Sequence, residues 1–269
     1  MPVQKLTPSF REKVWGATDL TPWFPVQQTR IGEVWFESER PLPLLVKFLF
    51  TSERLSVQVH PGDDYARKHE NSPGKTEMWH VLRTEGDARI ALGFHERLSR
   101  ETLRRASETG EIEHLLNWVP VQAGDSIFAP AGTVHAIGPG LALCEIQQVS
   151  DITYRLHDYG RPRELHLNKA MDVANTEPHP GKAVPRPLPD GSLLLVCCEY
   201  FCTEKAVVST EVPWQPRGSN PEILVVLEGT GYLENKVFGP GEAWLVDEPV
   251  VLQPQGTAVL LRTYVPSAA

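Results

Sequence analysis

Three short segments of the sequence carry side chains of the types that bind divalent metals. Gln58 and His60 lie in one apolar segment, and alternation along a β-strand directs both to the same face. Glu77 opens a second apolar segment, where a lone buried carboxylate would be costly. His135 follows the turn Pro130-Ala131-Gly132. Two imidazoles and a carboxylate suit Zn²⁺, and also Mn²⁺, Fe²⁺ or Co²⁺, while a glutamine oxygen is an uncommon fourth ligand.

Each of these side chains taken alone also has a structural explanation. A single inward-facing histidine is more often a hydrogen-bonded core residue than a metal ligand, and the same holds for Gln58. The combination of His60, Glu77 and His135 with a Pro-x-Gly-x-x-His turn favours a metal site. Because the segments lie far apart in the sequence, only a fold that brings them together can form that site.

Short apolar segments rich in Val, Leu and Ile, separated by turns, predict a mainly β protein. The 24 prolines and 20 glycines agree with many turns. Ser99 is a predicted N-cap in a helical insert over 99–118, and a second short helix is expected near 167–175. Strands are predicted over seven segments: 31–36, 44–49, 55–59, 77–82, 88–92, 126–129 and 142–147.

The proline-rich segment 177–190 predicts a linker between two domains, 1–176 and 191–269. A faint internal repeat supports two copies of one small barrel. In that repeat Glu222 falls at the place of Glu77 and Gly241 at that of Gly124. Leu252 falls at the place of His135, so the second copy is expected to lack the polar ligands.

Composition excludes several classes of function. The net charge of −8 disfavours binding to a phosphate backbone, and no nucleic-acid partner is expected. No apolar stretch approaches the length of a membrane span, and the N-terminus does not resemble a signal peptide. The four cysteines, Cys144, Cys197, Cys198 and Cys202, are predicted to be reduced thiols of a cytoplasmic protein.

The motifs resemble those of a known family. Gly124-x5-Pro130-x-Gly132-x2-His135 is similar to the second metal motif of the cupin superfamily. Over roughly residues 10 to 175 the chain also resembles type I mannose-6-phosphate isomerases, especially their short bacterial form. The motifs that carry this resemblance are more selective than the cupin turn: Gln58-x-His60-Pro61, Lys75-x-Glu77-Met78-Trp79, the segment 130–136 and the segment 145–156.

The resemblance implies two cupin-type (jelly-roll) barrels in tandem, the second degenerate, with a few short helices. It implies one Zn²⁺ per chain, held by the four ligand candidates Gln58, His60, Glu77 and His135. It also implies catalytic roles for Lys75, Asp151 and Arg155, and substrate binding by Ser56, Lys75, Glu145 and Arg155.

The implied reaction interconverts mannose 6-phosphate and fructose 6-phosphate through a cis-enediol. Lys75, Asp151 and Glu145 are alternative bases, and Arg155 suits an electrostatic role toward the phosphate or the enediolate. The structural alternatives are an exposed turn for Lys75 and a salt bridge to Asp158 or Glu164 for Arg155. The competing functions are another metal-dependent cupin enzyme, such as a dioxygenase or a sugar-nucleotide epimerase, and a non-catalytic sugar-phosphate-binding regulator. The sequence predicts no particular oligomeric state.

Overall fold

Three antiparallel β-sheets and four short helices make up the computed structural model, which describes residues 2–218 and 221–267. The structure does not describe residues 1, 219–220 and 268–269, which fall within the two predicted domains. One of them is Asn220, at the start of the second copy of the predicted repeat. The elements of the first 120 residues are, in chain order, β1 (Val3–Lys5), β2 (Thr7–Ala17), β3 (Ile31–Glu37), β4 (Leu45–Thr51), β5 (Val57–Val59), α1 (Asp63–Glu70), β6 (Glu77–Thr84), β7 (Arg89–Phe94), α2 (Arg100–Thr109), α3 (Ile112–Leu115) and β8 (Leu116–Pro120).

The remaining elements are almost all strands. They are β9 (Ser126–Ala129), β10 (His135–Ile137), β11 (Leu141–Gln147), β12 (Tyr154–His157), α4 (Leu167–Val173), β13 (Arg186–Pro187), β14 (Leu193–Cys197), β15 (Cys202–Val208), β16 (Val212–Trp214), β17 (Glu222–Leu233), β18 (Lys236–Phe238), β19 (Ala243–Val246) and β20 (Val250–Tyr264).

Two sheets face each other and form the N-terminal barrel. One has the strand order β2-β3-β4-β11-β6-β9 and the other β12-β5-β10-β7-β8. Alternating side chains from both sheets pack between them in a single buried cluster, which excludes water from that interior. The cluster includes Trp15, Leu49, Trp79, Ile90, Leu92 and Ile127. The mainly β, cupin-type fold is thereby confirmed.

The third sheet forms the C-terminal barrel. Its main strand order is β1-β19-β17-β20-β15-β14-β13, with β16 and β18 paired to β20 and β17. Val3–Lys5 therefore pairs with Ala243–Val246, although the predicted division assigned it to the first domain. For these residues the predicted boundary is wrong, because backbone pairing ties the N-terminal strand to the second sheet. The division into two domains otherwise stays a prediction.

The internal repeat is confirmed by hydrogen-bond register. Glu77 pairs with Ala129 at the last position of β9, and Glu222 pairs with Val246 at the last position of β19. The two turn glycines also occupy equivalent positions. The N–H of Gly124 donates to the Val81 carbonyl at 2.8 Å and the N–H of Gly241 donates to the Val226 carbonyl at 2.9 Å, and each acceptor lies four residues after the glutamate of its copy. In the second copy, Arg262 stands beside Glu222 as a counter-ion.

The local predictions hold in part. Each of the seven predicted strands overlaps an observed one, and the side chain of Ser99 caps α2 by accepting from the Thr102 N–H at 3.0 Å. The predicted helical insert is wrong at its end, because Leu116–Pro120 forms β8 by pairing with β7. The segment 177–190 is not purely a linker, since Arg186–Pro187 pairs with β14.

The prediction of four reduced cysteines is wrong for two of them. Cys197 and Cys202 are direct cross-strand partners in the β14–β15 hairpin and form a disulfide, whereas Cys144 and Cys198 are free thiols. None of the helices in residues 2–218 and 221–267 combines the length and the apolar character that crossing a bilayer requires.

Candidate active site

The predicted metal ligands His60, Glu77 and His135 converge inside the N-terminal barrel. Oε1 of Glu77 lies 3.3 Å from Nε2 of His60 and 3.2 Å from Nε2 of His135. One ligand atom from each residue falls within 4.8 Å of the other two, and all three residues are buried. The three segments that carry them are thus brought together at one point, as the sequence predicted.

A hydrogen bond to a backbone carbonyl fixes which nitrogen of each imidazole faces the Glu77 carboxylate. Nδ1 of His60 lies 2.7 Å from the Ile152 carbonyl and Nδ1 of His135 lies 2.9 Å from the Thr133 carbonyl. A carbonyl only accepts, so in both rings Nδ1 carries a proton. The Lys75 ammonium and the Gln58 amide nitrogen only donate, and each lies 3.2 Å from Nε2 of one ring, so Nε2 presents a lone pair. Such hydrogen bonds also orient metal-binding imidazoles.

The carboxylate of Glu77 is buried beside one ion-pair partner, Lys75, at 3.2 Å. Within the described residues neither of its oxygens has a hydrogen-bond partner, although the residue is 1% exposed. Burial would raise the pKa of Glu77, but Lys75 and the two imidazoles hold it well below its ordinary value. Burial lowers the pKa of His135 to about 3. A carboxylate and two neutral imidazoles that share a buried point fit a divalent cation.

Strand register explains how Gln58 and Arg155 join this site. Gln58 on β5 is the cross-strand partner of His135 on β10 and of Arg155 on β12, so the three residues form one row across the five-stranded sheet. The turn before His135 is anchored to the residue that follows β5, because the N–H of Gly132 donates to the His60 carbonyl at 2.8 Å. Gly132 has φ +88°, a conformation that favours glycine.

Gln58 and Lys75 make polar contacts to the two imidazoles. Nε2 of Gln58 lies 3.2 Å from Nε2 of His135, and the Gln58 oxygen accepts from the Ser56 hydroxyl at 3.1 Å. Nζ of Lys75 lies 3.2 Å from Nε2 of His60 and 3.2 Å from Oε2 of Glu77. Lys75 is 4% exposed, so the alternative of an exposed turn lysine is wrong.

The backbone before Lys75 requires a glycine. A Cβ atom at Gly74 would lie 2.6 Å from backbone atoms of Gly62 and Asp63. This close approach seats Lys75, whose N–H donates to the Pro61 carbonyl at 2.9 Å. Burial alone would lower the pKa of Lys75, but the carboxylates around it raise the pKa above its ordinary value.

A cavity of about 240 Å³ opens beside the cluster. Its walls include all the predicted catalytic and substrate-binding residues: Ser56, Lys75, Glu145, Asp151 and Arg155. Gln58 also lines it. The walls also include charged and polar residues that the sequence did not single out, among them Lys13, Glu33, Arg163 and His166.

Arg155 enters this cavity without an ion pair in the described part of the chain. Its expected partner Asp158 is instead held by Arg161 and Arg163, at 2.8 and 2.6 Å. The Nε atom of Arg155 is buried without a hydrogen-bond partner among those residues. Burial and the neighbouring guanidinium of Arg163 both lower the pKa of Arg155. The alternative of a rim salt bridge to Asp158 or Glu164 is therefore wrong, and an anion would relieve the repulsion.

On β11 of the six-stranded sheet, each carboxylate oxygen of Glu145 has one side-chain partner. Its Oε2 lies 3.1 Å from Nζ of Lys47, and its Oε1 accepts from the indole N–H of Trp79 at 2.8 Å. Lys47 was missed at the sequence level, although a lysine in the apolar segment Leu44–Phe50 was an available signal. No comparable local signal marks Lys13, Glu33 or Arg163.

Comparison with known proteins places the chain in a family. No protein-family model matches it. It is 36% identical over 270 residues to mannose-6-phosphate isomerase ManA of Bacillus subtilis strain 168, covering 83% of this chain and 85% of that protein. It is 42% identical over 199 residues to a mannose-6-phosphate isomerase of Streptococcus mutans, covering 70% of this chain and 62% of that protein.

Structural comparison agrees with the sequence relatives. The crystal structure of the mannose 6-phosphate isomerase from Bacillus subtilis superposes with a TM-score of 0.87 at 28% identity, covering 98% of this chain and 100% of that one. With 36% identity to a relative of which it covers 85%, the chain belongs to the mannose-6-phosphate isomerase family.

Proposed function

We propose that the protein interconverts mannose 6-phosphate and fructose 6-phosphate through a cis-enediol intermediate. The observation that supports this most directly is the juxtaposition of the Glu77, His60 and His135 cluster with a cavity that holds an unpaired arginine. An aldose–ketose isomerase must stabilise charge developing on the sugar oxygens, hold the phosphate and move one proton between C1 and C2.

The metal is proposed to be one Zn²⁺ per chain. His60, Glu77 and His135 would hold it, and Gln58 would be the fourth ligand after a half-turn of its amide brings the oxygen around. When bound, the ion supplies Lewis-acid stabilisation of negative charge on the sugar oxygens. The supporting features are the Glu77 carboxylate, whose oxygens accept no hydrogen bond within the described residues, and the two Nε2 lone pairs beside it. The nitrogen and oxygen donors suit zinc.

Arg155 is proposed to bind the phosphate. Its planar guanidinium can donate two parallel hydrogen bonds to phosphate oxygens, and the fork stays charged at all relevant pH values. Because the carboxylate of Asp158 is already paired with Arg161 and Arg163, it leaves Arg155 available. Ser56 would contribute a hydroxyl to the same wall of the cavity.

Asp151 is proposed as the base that takes the proton from C2 and returns it to C1. Of the three candidates, Glu145 is held by Lys47 and Trp79, and Lys75 lies against Glu77. Asp151 lines the cavity and forms neither an ion pair nor a side-chain hydrogen bond within the described residues. Its lone pairs are therefore free to accept a proton.

A coupled assay that follows fructose 6-phosphate tests the proposal. The zinc-loaded protein is expected to convert mannose 6-phosphate under strictly anaerobic conditions, and chelator-treated protein is expected to lose the activity. A dioxygenase would require oxygen, and an epimerase would yield no ketose. A regulator would bind the sugar phosphate without turnover. Each of these results would contradict the isomerase function.

The remaining proposals concern organisation and location. We propose that the two barrels meet near residue 180, with 177–190 as the connecting segment, and that the protein works in the cytoplasm. Limited proteolysis at this segment tests the first proposal, and fractionation of the source cells tests the second.

A further inference from the structure

Lys47 is a buried lysine that faces the cavity side of the six-stranded sheet. Its side chain is 1% exposed, and every residue of β4 is buried. Its Nζ lies 3.1 Å from Oε2 of Glu145 and 4.3 Å from the centre of the Trp35 ring. The pairings of β3, β4, β11 and β6 place these residues in one row, in the order Trp35, Lys47, Glu145 and Trp79.

The row fixes the carboxylate of Glu145 in one orientation. Trp79 donates to Oε1 at 2.8 Å and Lys47 stands against Oε2, so each oxygen has one partner. A carboxylate has about four acceptor positions, which leaves lone pairs free. Glu145 also lines the cavity, while Lys47 does not. Lys47 therefore reaches a substrate in the cavity only through Glu145.

Stability alone is a weak explanation for this pair. Desolvation of two charges offsets much of their attraction, and a well-packed apolar pair of similar volume is often at least as stable. Breaking the pair by removing Lys47 alone would leave an uncompensated carboxylate in the interior. What the lysine provides is a fixed orientation of the Glu145 carboxylate at the wall of the cavity.

We propose that Lys47 is a positioning residue, which holds the carboxylate of Glu145 in an orientation that lets its free lone pairs accept hydrogen bonds from hydroxyl groups of the sugar. This inference rests on the proposed isomerase function and extends it to the binding of the sugar ring. Because a hydroxyl contact of this kind is made in the ground state and the transition state alike, its loss is expected to raise KM more than it lowers kcat.

The C-terminal barrel offers a matched control pair. Glu222 accepts from the indole N–H of Trp214 at 2.7 Å and from the guanidinium of Arg262 at 2.6 Å. Arg262 stacks on Trp214 with 4.4 Å to the ring centre. As in the Lys47 row, a buried carboxylate is held by an indole and a cation, here with a further hydrogen bond from the Arg217 N–H at 3.1 Å. Neither Glu222 nor Arg262 lines the active-site cavity.

The test is a double-mutant cycle on zinc-loaded protein with Lys47→Met, Glu145→Gln and the double variant. Each single substitution is expected to lower kcat/KM for mannose 6-phosphate by about 10- to 100-fold, mainly through KM, with the zinc content unchanged. The double variant is expected to match Glu145→Gln, because Lys47 acts only through that carboxylate.

The control cycle uses Arg262→Met and Glu222→Gln, which are expected to change thermal stability but to keep kcat/KM of the folded protein within twofold. If Lys47→Met does not fold, Lys47→Gln takes its place in the cycle, because its shorter side chain keeps a polar group in the interior but is too short to hold Oε2 of Glu145, and the same rise in KM is expected. Additive losses in the double variant, or an unchanged kcat/KM in Lys47→Met, would overturn the inference. Absence of turnover in the unaltered protein would instead refute the proposed function.

Discussion

Nε2 of His135 lies 3.2 Å from Oε1 of Glu77, and neither atom carries a proton that the other could accept. Nδ1 of His135 already donates to a carbonyl, and the pKa of Glu77 is held well below its ordinary value. Two lone-pair atoms at this distance in a dry interior repel each other unless a cation lies near both. The pair therefore specifies a cation site by electrostatics as well as by residue type.

Replacing His135 with Ala is expected to remove zinc and isomerase activity together. The substitution deletes one of the three converging ligand atoms, and His60 and Glu77, even with Gln58 beside them, are not expected to hold the ion at ordinary concentrations. Metal analysis by mass spectrometry and the coupled assay measure the two losses. His80→Gln is the control, because His80 is equally buried on the same strand as Glu77 but outside the ligand cluster. Full activity in metal-free His135→Ala protein would refute the site.

The convergence of His60, Glu77 and His135 was predictable because each of them sits in a motif that can be recognised locally. Alternation places Gln58 and His60 on one face, and the turn before His135 has a recognisable spacing. Lys13, Glu33 and Arg163 were not predictable in the same way. They reach the cavity through pairings between strands or loops that are remote in sequence, and register is not encoded locally.

The same limit explains the errors in the fold. Val3–Lys5 joins a strand about 240 residues away in sequence, so no local pattern could assign it to the second sheet. Cys197 and Cys202 form a disulfide because a hairpin makes them cross-strand neighbours. The apolar context of a cysteine suggests burial but carries no information about its cross-strand partner.

Replacing Arg155 with Ala is expected to weaken phosphate binding and leave the metal in place. Loss of a charge-assisted contact to the phosphate should lower kcat/KM for mannose 6-phosphate by about 100-fold. Competitive inhibition by inorganic phosphate should weaken in parallel, because it depends on the same guanidinium. Kinetics with and without added phosphate, together with zinc analysis, measure these effects.

Arg83→Ala is the control for that experiment. Arg83 is a half-buried arginine that donates to the carbonyls of Asp19 and Thr21, away from the active-site cavity. It should leave both the kinetics and the zinc content unchanged. Loss of zinc in Arg155→Ala would show that Arg155 supports the metal site and does not bind phosphate.

Replacing Asp151 with Asn is expected to stop proton transfer while zinc and substrate stay bound. An amide cannot take the C2 proton, so turnover should fall by about 10²- to 10⁴-fold. Exchange of the C2 hydrogen of mannose 6-phosphate with deuterium from D₂O, followed by NMR, reports the proton step directly. Asp172→Asn, in an exposed part of α4, is the control. If the C2 hydrogen still exchanged in Asp151→Asn but no longer exchanged in Lys75→Met or Glu145→Gln, the base would be Lys75 or Glu145 and not Asp151.

His80 is expected to make folding stability depend on pH. Burial, aided by Lys205, lowers its pKa from 6.5 to about 4 in the folded protein. Between pH 6.5 and 4 the unfolded chain binds a proton at His80 that the folded protein does not, so stability falls as the pH is lowered through this range. A shift of this size corresponds to roughly 2 kcal/mol between pH 7 and pH 5.

Urea unfolding of the unaltered protein and of His80→Gln at pH 7 and pH 5 measures this contribution. Other groups also titrate in this range, but they do so in both proteins, so the difference between the two pH dependences isolates His80. The side chain of Gln can keep the 2.9 Å contact that His80 makes with the Ser126 hydroxyl, and it has no titrating group. We expect the variant to lose less stability than the unaltered protein on acidification. Equal losses in the two proteins would contradict a lowered pKa for His80.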